Sequence, residues 1–195
     1  HGLLSETEVV VALTIELIGT NTITGYYGIY VNAEISADSN GTDASLTITS
    51  ENNGSLEVSG SNYGIFVKSG TGNASLTIND ASVVAKTTQT YSSFAGVYVQ
   101  SSAHATSSPQ LSLAVNGGSL TTSASKGNDG IQFYVGSSEA TGATTSLTVT
   151  NNAIVDARNG GISASRILET LPTPTPTGDN SSGIVFDGTE GTVYG

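Results

Sequence analysis

Apolar and polar residues alternate along this chain in short bursts, and the bursts recur. The clearest is a glycine followed by Ile or Val, an aromatic and Val: Gly28-Ile29-Tyr30-Val31, Gly64-Ile65-Phe66-Val67 and Gly96-Val97-Tyr98-Val99. A stretched copy runs Gly130-Ile131-Gln132-Phe133-Tyr134-Val135, and a fainter one Gly161-Ile162-Ser163-Ala164. The leading glycines lie 36, 32, 34 and 31 residues apart, a spacing of one supersecondary unit and therefore of a solenoid or a propeller.

Two further phrases travel with the first. One comprises Ser45-Leu46-Thr47-Ile48, Ser75-Leu76-Thr77-Ile78, Leu111-Ser112-Leu113-Ala114-Val115 and Ser146-Leu147-Thr148-Val149. The other comprises Ser55-Leu56-Glu57-Val58, Ser82-Val83-Val84, Ser119-Leu120-Thr121 and Ala153-Ile154-Val155. Steps of 10, 7, 7 and 7 residues separate Leu46 from Leu56, Leu76 from Val83, Leu113 from Leu120 and Leu147 from Ile154. Upstream, Leu13-Thr14-Ile15 stands 33 residues before Leu46-Thr47-Ile48, and Ile23 stands 33 before Leu56. Apolar residues at i and i+2 with polar ones between them are the pattern of a strand buried on one face.

Loops of unequal length join these constant segments: Gly28 to Leu46 is 18 residues, Gly64 to Leu76 is 12. A left-handed β-helix would show strict hexapeptides, and a propeller four antiparallel strands per blade. The expected fold is all-β, a right-handed parallel β-helix with three short strands per coil and about five coils. Asn-Gly pairs at 40–41, 53–54, 116–117 and 159–160 are expected to supply the positive φ that turns a coil's corner. A single domain over 1–195 is expected, with regular coils at about 12–165 and a Pro/Thr-rich insertion at 168–182. A last partial coil at 183–195 resumes the phrase as Gly183-Ile184-Val185-Phe186 and is expected to continue in a longer protein.

Composition changes the picture. The apolar share, 36%, is low for a globule but sufficient for a solenoid, whose coils need few inward residues per strand. Sixteen acids against five bases give a net charge of −11, which disfavours nucleic acid and anionic lipid as partners. There is no Cys, hence no disulfide framework. The longest apolar run, Val9 to Leu13, is too short to span a bilayer and has no basic segment before it. The chain therefore reads as the mature part of an exported protein.

Candidate chemistry is sparse. If Ile29 and Val31 point inward, Tyr30 points out, with Phe66 and Tyr98 above it on successive coils about 4.8 Å apart. In the fourth coil the outward positions fall to Gln132 and Tyr134. Such a ladder is either a surface for stacking on sugar rings or an array that stacks on itself. Outward Thr47, Thr49, Thr77, Thr148 and Thr150, with Asn79 beside them, resemble the Thr arrays of ice-binding solenoids. Ser112 and Ala114 break that pattern, and Thr suits any strand. Asp38 with Asp43, and Asp129 after Asn128, stand in turns where calcium ligands would, without an EF-hand or nonapeptide motif. No catalytic residues are expected. Lys68, Lys86, Lys126, Arg158 and Arg166 do not fall on strands beside stacked acids, Glu16 and Glu57 lack a partner carboxylate, and His1 and His104 form no triad.

The phrases Gly-Ile-Tyr-Val, Ser-Leu-Thr-Ile and Asn-Gly-Gly-Ser-Leu-Thr at 116–121 resemble the parallel β-helix repeats of bacterial cell-surface proteins. Adhesin-like and polysaccharide-binding β-helix modules are among these, some sharing the pectate-lyase fold. The resemblance covers about residues 12–165, with a weaker echo at 183–195. It implies a secreted or surface location and carbohydrate binding. Pectate-lyase relatives include enzymes, but their basic and acidic catalytic cluster is missing from this sequence. The expected function is non-catalytic adhesion or glycan binding through Tyr30, Phe66, Tyr98, Gln132 and Tyr134. The alternatives are a purely structural spacer or, behind it, a polysaccharide lyase or glycosidase. Expected partners are a polysaccharide or cell-surface glycan and other domains of the same chain, not nucleic acid or an inserted membrane. No cofactor is expected beyond a structural calcium ion.

Overall fold

The computed structural model describes residues 10–34, 41–90, 94–104, 106–125, 128–137, 139–140, 142–165, 185–187 and 191–194. The Pro/Thr-rich tract, Asp38, Asn40, Lys126, Arg166 and His1 lie outside these. Along the described chain the strands are β1 (Val10–Glu16), β2 (Thr20–Asn32), β3 (Asp43–Thr49), β4 (Ser55–Ser69), β5 (Ala74–Thr87), β6 (Ala95–Ser101) and β7 (Gln110–Ser123). They continue as β8 (Asp129–Val135), β9 (Thr144–Thr150), β10 (Ile154–Asn159), β11 (Ile162–Ala164), β12 (Val185–Asp187) and β13 (Thr192–Tyr194).

Every pairing between them is parallel, and the pairings form three ladders. Face A stacks β1, β3, the first half of β5, the first half of β7, β9 and β12, in the register Leu13, Leu46, Leu76, Leu113, Leu147, Phe186. Face B stacks the starts of β2 and β4, the ends of β5 and β7, then β10 and β13. Face C stacks the ends of β2 and β4, then β6, β8 and β11, in the register Ile29, Ile65, Val97, Ile131, Ile162. The chain is thus a parallel β-helix with three strand segments per coil. Among the described residues five circuits have a rung on each face, and β12 and β13 are the first two rungs of a sixth.

The alternation explains the core. Ala44, Leu46 and Ile48 of face A point inward and are at most 2% exposed, while Ser45, Thr47 and Thr49 point out. Leu76, Ile78, Leu113, Val115, Leu147 and Val149 repeat this above them. Each such side chain removes apolar surface worth about 1.5–3 kcal/mol from water, and each coil covers the next.

Two registers differ from the sequence expectation. Val155, not Ile154, aligns with Leu120, and Ile154 stands outside at 44% exposure. The corner before it spends one residue more than the preceding coil, and a one-residue shift exchanges the two faces of a strand. Likewise Asn21, not Ile23, lies opposite Leu56, and Ile23 faces Val58.

The corners between faces A and B are left-handed in conformation, as expected of Asn-Gly. Asn53 has φ 51°, and Gly117 and Gly118 have φ 71°. Asp80, Asn151 and Asn152, which carry no Asn-Gly signal, take the same conformation; short polar side chains tolerate it best. The connections from face C back to face A are the most variable: 33–42, 70–73, 102–109, 136–143 and 165–184.

Candidate functional site

The outward side of face C carries three columns. Tyr30, Phe66, Tyr98, Gln132 and Ser163 form the first, in register. Asn32, Lys68, Gln100 and Tyr134 form the second. The third was not anticipated: Tyr27, Tyr63, Ala95 and Asp129. The residue before each phrase glycine occupies it, and Tyr27-Gly28 and Tyr63-Gly64 display the signal in the sequence. In the third coil Ala95 holds that position, and Phe94 one residue earlier supplies the ring.

Together these columns make a second apolar cluster outside the main core, centred on Phe66, Ala95 and Tyr98 and flanked by Tyr27 and Tyr63. Tyr63 stacks on Tyr98 at 4.7 Å between centroids and 5° between planes, and on Tyr27 at 6.0 Å and 10°. Tyr30 stacks on Phe66 at 4.8 Å, and Phe66 tilts against Tyr98 at 4.9 Å. Phe94 meets Tyr63 edge-on at 5.4 Å, and Tyr134 meets Tyr98 at 6.3 Å. These are the offset and edge arrangements that ring quadrupoles favour.

The flat exposed row expected from the sequence is therefore only partly present. Phe66 and Tyr98 are 6% and 8% exposed, because the Tyr27 and Tyr63 column packs over them. Tyr30 at 42% and Tyr134 at 37% remain open, as does Tyr26 at 63%, whose ring stands at 82° to that of Tyr27. Gln132 is half-buried. The coils bring the predicted residues together, but the available rings are Tyr26, Tyr30 and Tyr134.

Charge around this face is largely neutralised. Lys68 pairs with Glu34. Burial pushes the Glu34 carboxyl up, but hydrogen bonds from Lys68 and Ser102 outweigh it and hold the group below the usual range. Asp129 is pushed up by burial although Ser163 Oγ donates to it at 2.7 Å. Burial, with neighbouring tyrosines adding to it, raises the phenols of Tyr30, Tyr63 and Tyr98, Tyr63 to about 12. A phenol whose folded pKa lies above its unfolded value keeps its proton where the unfolded chain loses it. Stability should therefore hold below about pH 10 and fall as pH rises from there toward about 12. Urea midpoints measured across that range, with tyrosinate absorbance followed alongside, test this; a flat midpoint through pH 12 would contradict it.

The other candidates are engaged in structure. Asp43 Oδ1 accepts from the Asn73 amide at 2.6 Å. Asn128 accepts from Phe94 N and donates to Gln89 O, at 3.1 and 2.7 Å. Among the described residues no three His, Asp or Glu side chains converge as a metal-binding group. Lys86 pairs with Glu57 at 2.6 Å, and Arg158 with Asp156 at 2.5 Å while lying 4.8 Å from the Tyr194 ring centre. The outward Thr column of face A, Thr47, Thr77 and Thr148, is interrupted by Ala114. Beside it Asn79, Asn116 and Thr150 are linked by side-chain hydrogen bonds across the coils. No family model, curated protein or solved structure matches this chain.

Proposed function

We propose that the chain is a non-catalytic, glycan-binding β-helix module of an exported bacterial cell-surface protein, of the adhesin-like, pectate-lyase-folded kind that its repeats resemble. The observation that carries this reading is the pair of open rings, Tyr30 and Tyr134, anchored on a self-packed aromatic bed. They stand three coils apart, about 14 Å along the helix axis at the coil spacing, and in neighbouring columns, a separation that a short run of sugar units spans. Rings held rigidly by their neighbours lose little entropy on stacking, and Asn32, Gln100 and Gln132 between them offer hydrogen bonds to hydroxyls. With Lys68 taken by Glu34 and a net charge of −11, the face favours uncharged over anionic glycans.

The test is binding of the protein to a panel of soluble neutral and anionic polysaccharides, with and without calcium, beside a Tyr30→Ala/Tyr134→Ala double variant. Each stacked ring is worth about 0.5–1.5 kcal/mol, so the folded double variant should bind roughly tenfold to hundredfold more weakly. The spacer reading is favoured by the burial of Phe66 and Tyr98 under their own neighbours. If no glycan binds, the spacer stands instead. New reducing ends or unsaturated products would point to a lyase or glycosidase.

A further inference from the structure

Four Asn-Gly pairs punctuate the chain, and the fold treats them differently. In such a pair the following amide nitrogen can attack the Asn side chain, since glycine presents no Cβ to hinder it. Three of the four are restrained. The Gly41 amide donates to Thr71 Oγ1 at 2.7 Å, and the Gly54 amide to Ser50 Oγ at 2.6 Å in a buried corner. Asn116 has its amide nitrogen on Asn79 Oδ1 at 3.0 Å and its amide oxygen on Thr150 Oγ1 at 2.5 Å.

Asn159-Gly160 has none of these restraints. Both residues are exposed. Among the described residues no hydrogen bond holds the Asn159 side chain or the Gly160 amide, and Gly160 stands at φ 120°, outside any strand. We propose that Asn159 is a spontaneous modification site, the one of the four pairs that deamidates in the folded protein.

The step needs only water. The Gly160 nitrogen, losing its proton to solvent, forms a bond to Asn159 Cγ. The Cγ–Nδ2 bond breaks, and the amide leaves as ammonia carrying a proton. Water then opens the resulting five-membered imide at either carbonyl, giving aspartate or isoaspartate at position 159. Isoaspartate lengthens the main chain by a methylene where there is no room for it. Gly160 packs against Gly130 so closely that even a Cβ would come within 2.4 Å of its nitrogen. The next carbonyl, that of Gly161, accepts from Gly130 and Ile131 amides at 3.0 Å each. Ageing at this position therefore loosens β11 from β8.

The experiment is incubation of the full chain at mildly alkaline pH, folded and in urea, followed by peptide mapping by mass spectrometry. Digestion in heavy-oxygen water marks conversion that occurs during handling. A hydrogen bond that must break before attack slows it by roughly tenfold. The folded protein should therefore convert Asn159 at least that much faster than Asn53 or Asn116, whereas urea should level the rates. An Asn159→Gln variant should keep the protection of Ile162–Ala164 amides against hydrogen exchange that the aged parent loses. Equal rates at Asn40, Asn53 or Asn116 in the folded protein, or conversion of Asn159 in urea alone, would overturn the proposal. Unchanged protection after conversion would overturn the loosening of β11.

Discussion

Gly64→Ala should destabilise the protein by about 3 kcal/mol, at the upper end of what an overpacked methyl costs. The position does not need a left-handed backbone. It needs emptiness: a Cβ there would stand 2.6 Å from the Gly96 carbonyl oxygen and 2.7 and 2.9 Å from the Lys86 nitrogen and oxygen. All three are backbone atoms, so no rotamer change relieves the clash. Gly96 meets the Ala85 and Gly130 carbonyl oxygens in the same way, at 2.7 and 2.9 Å. The glycine that opens each repeat is thus where face C turns in against face B, and the ladder bonds to the coils above and below prevent a retreat. Since a solenoid's stability is mostly a sum of coil and interface contributions, the loss should fall on the junction of β4 with β5 and β6. Urea unfolding should show a lower midpoint and a broader transition. A cost under about 1 kcal/mol, the scale of an ordinary propensity effect, would show that the coils can part there after all.

Phe66→Ala should be of the same size, about 3–5 kcal/mol, although the side chain points away from the main core. Its ring lies within 4.9 Å of Tyr30, Tyr63 and Tyr98 centroids and 5.9 Å of Tyr27, and it is 6% exposed. Deleting it opens a hole beneath four rings. By contrast Tyr30→Ala removes a ring that is 42% exposed and should cost about 1–2 kcal/mol of stability, chiefly its two ring contacts with Tyr27 and Phe66. The comparison decides whether the aromatic columns are a second core or surface decoration. Thermal melts of the two variants, run together, should separate clearly; coincident melts would make Phe66 decoration. It also governs how binding is tested. A variant lacking Tyr30, Phe66 and Tyr98 together confuses lost binding with lost folding, whereas Tyr30 and Tyr134 can be removed from a folded scaffold.

Most of the architecture is visible in the chain because the period-two pattern and the long period reinforce each other. Leu13, Leu46, Leu76, Leu113 and Leu147 can be aligned by eye, and they stack in register. What alignment by eye misses is corner length. Nothing in Ala153-Ile154-Val155 says which of two adjacent β-branched residues turns inward; the corner before them decides it, because Asn151 and Asn152 fill the place that Gly117 alone fills one coil earlier. The site is less legible for a related reason. Alternation tells which side of a strand Phe66 leaves from, not what lies over it once it has left. Tyr27 and Tyr63 sit where the backbone changes direction beside Gly28 and Gly64, so simple alternation does not assign them a side.

The unequal connections between face C and face A bear on how such a chain can change. All five leave and rejoin the helix at the same edge, so residues gained there displace no rung above or below. Doubling a loop's length raises its closure cost by only about 0.6 kcal/mol, less than one misplaced methyl in the glycine column. Insertions at this edge are therefore cheap, whereas a single residue gained within a rung would turn that strand inside out. New recognition loops can be acquired along one border of the aromatic face, one coil at a time, while the scaffold that carries them stays fixed.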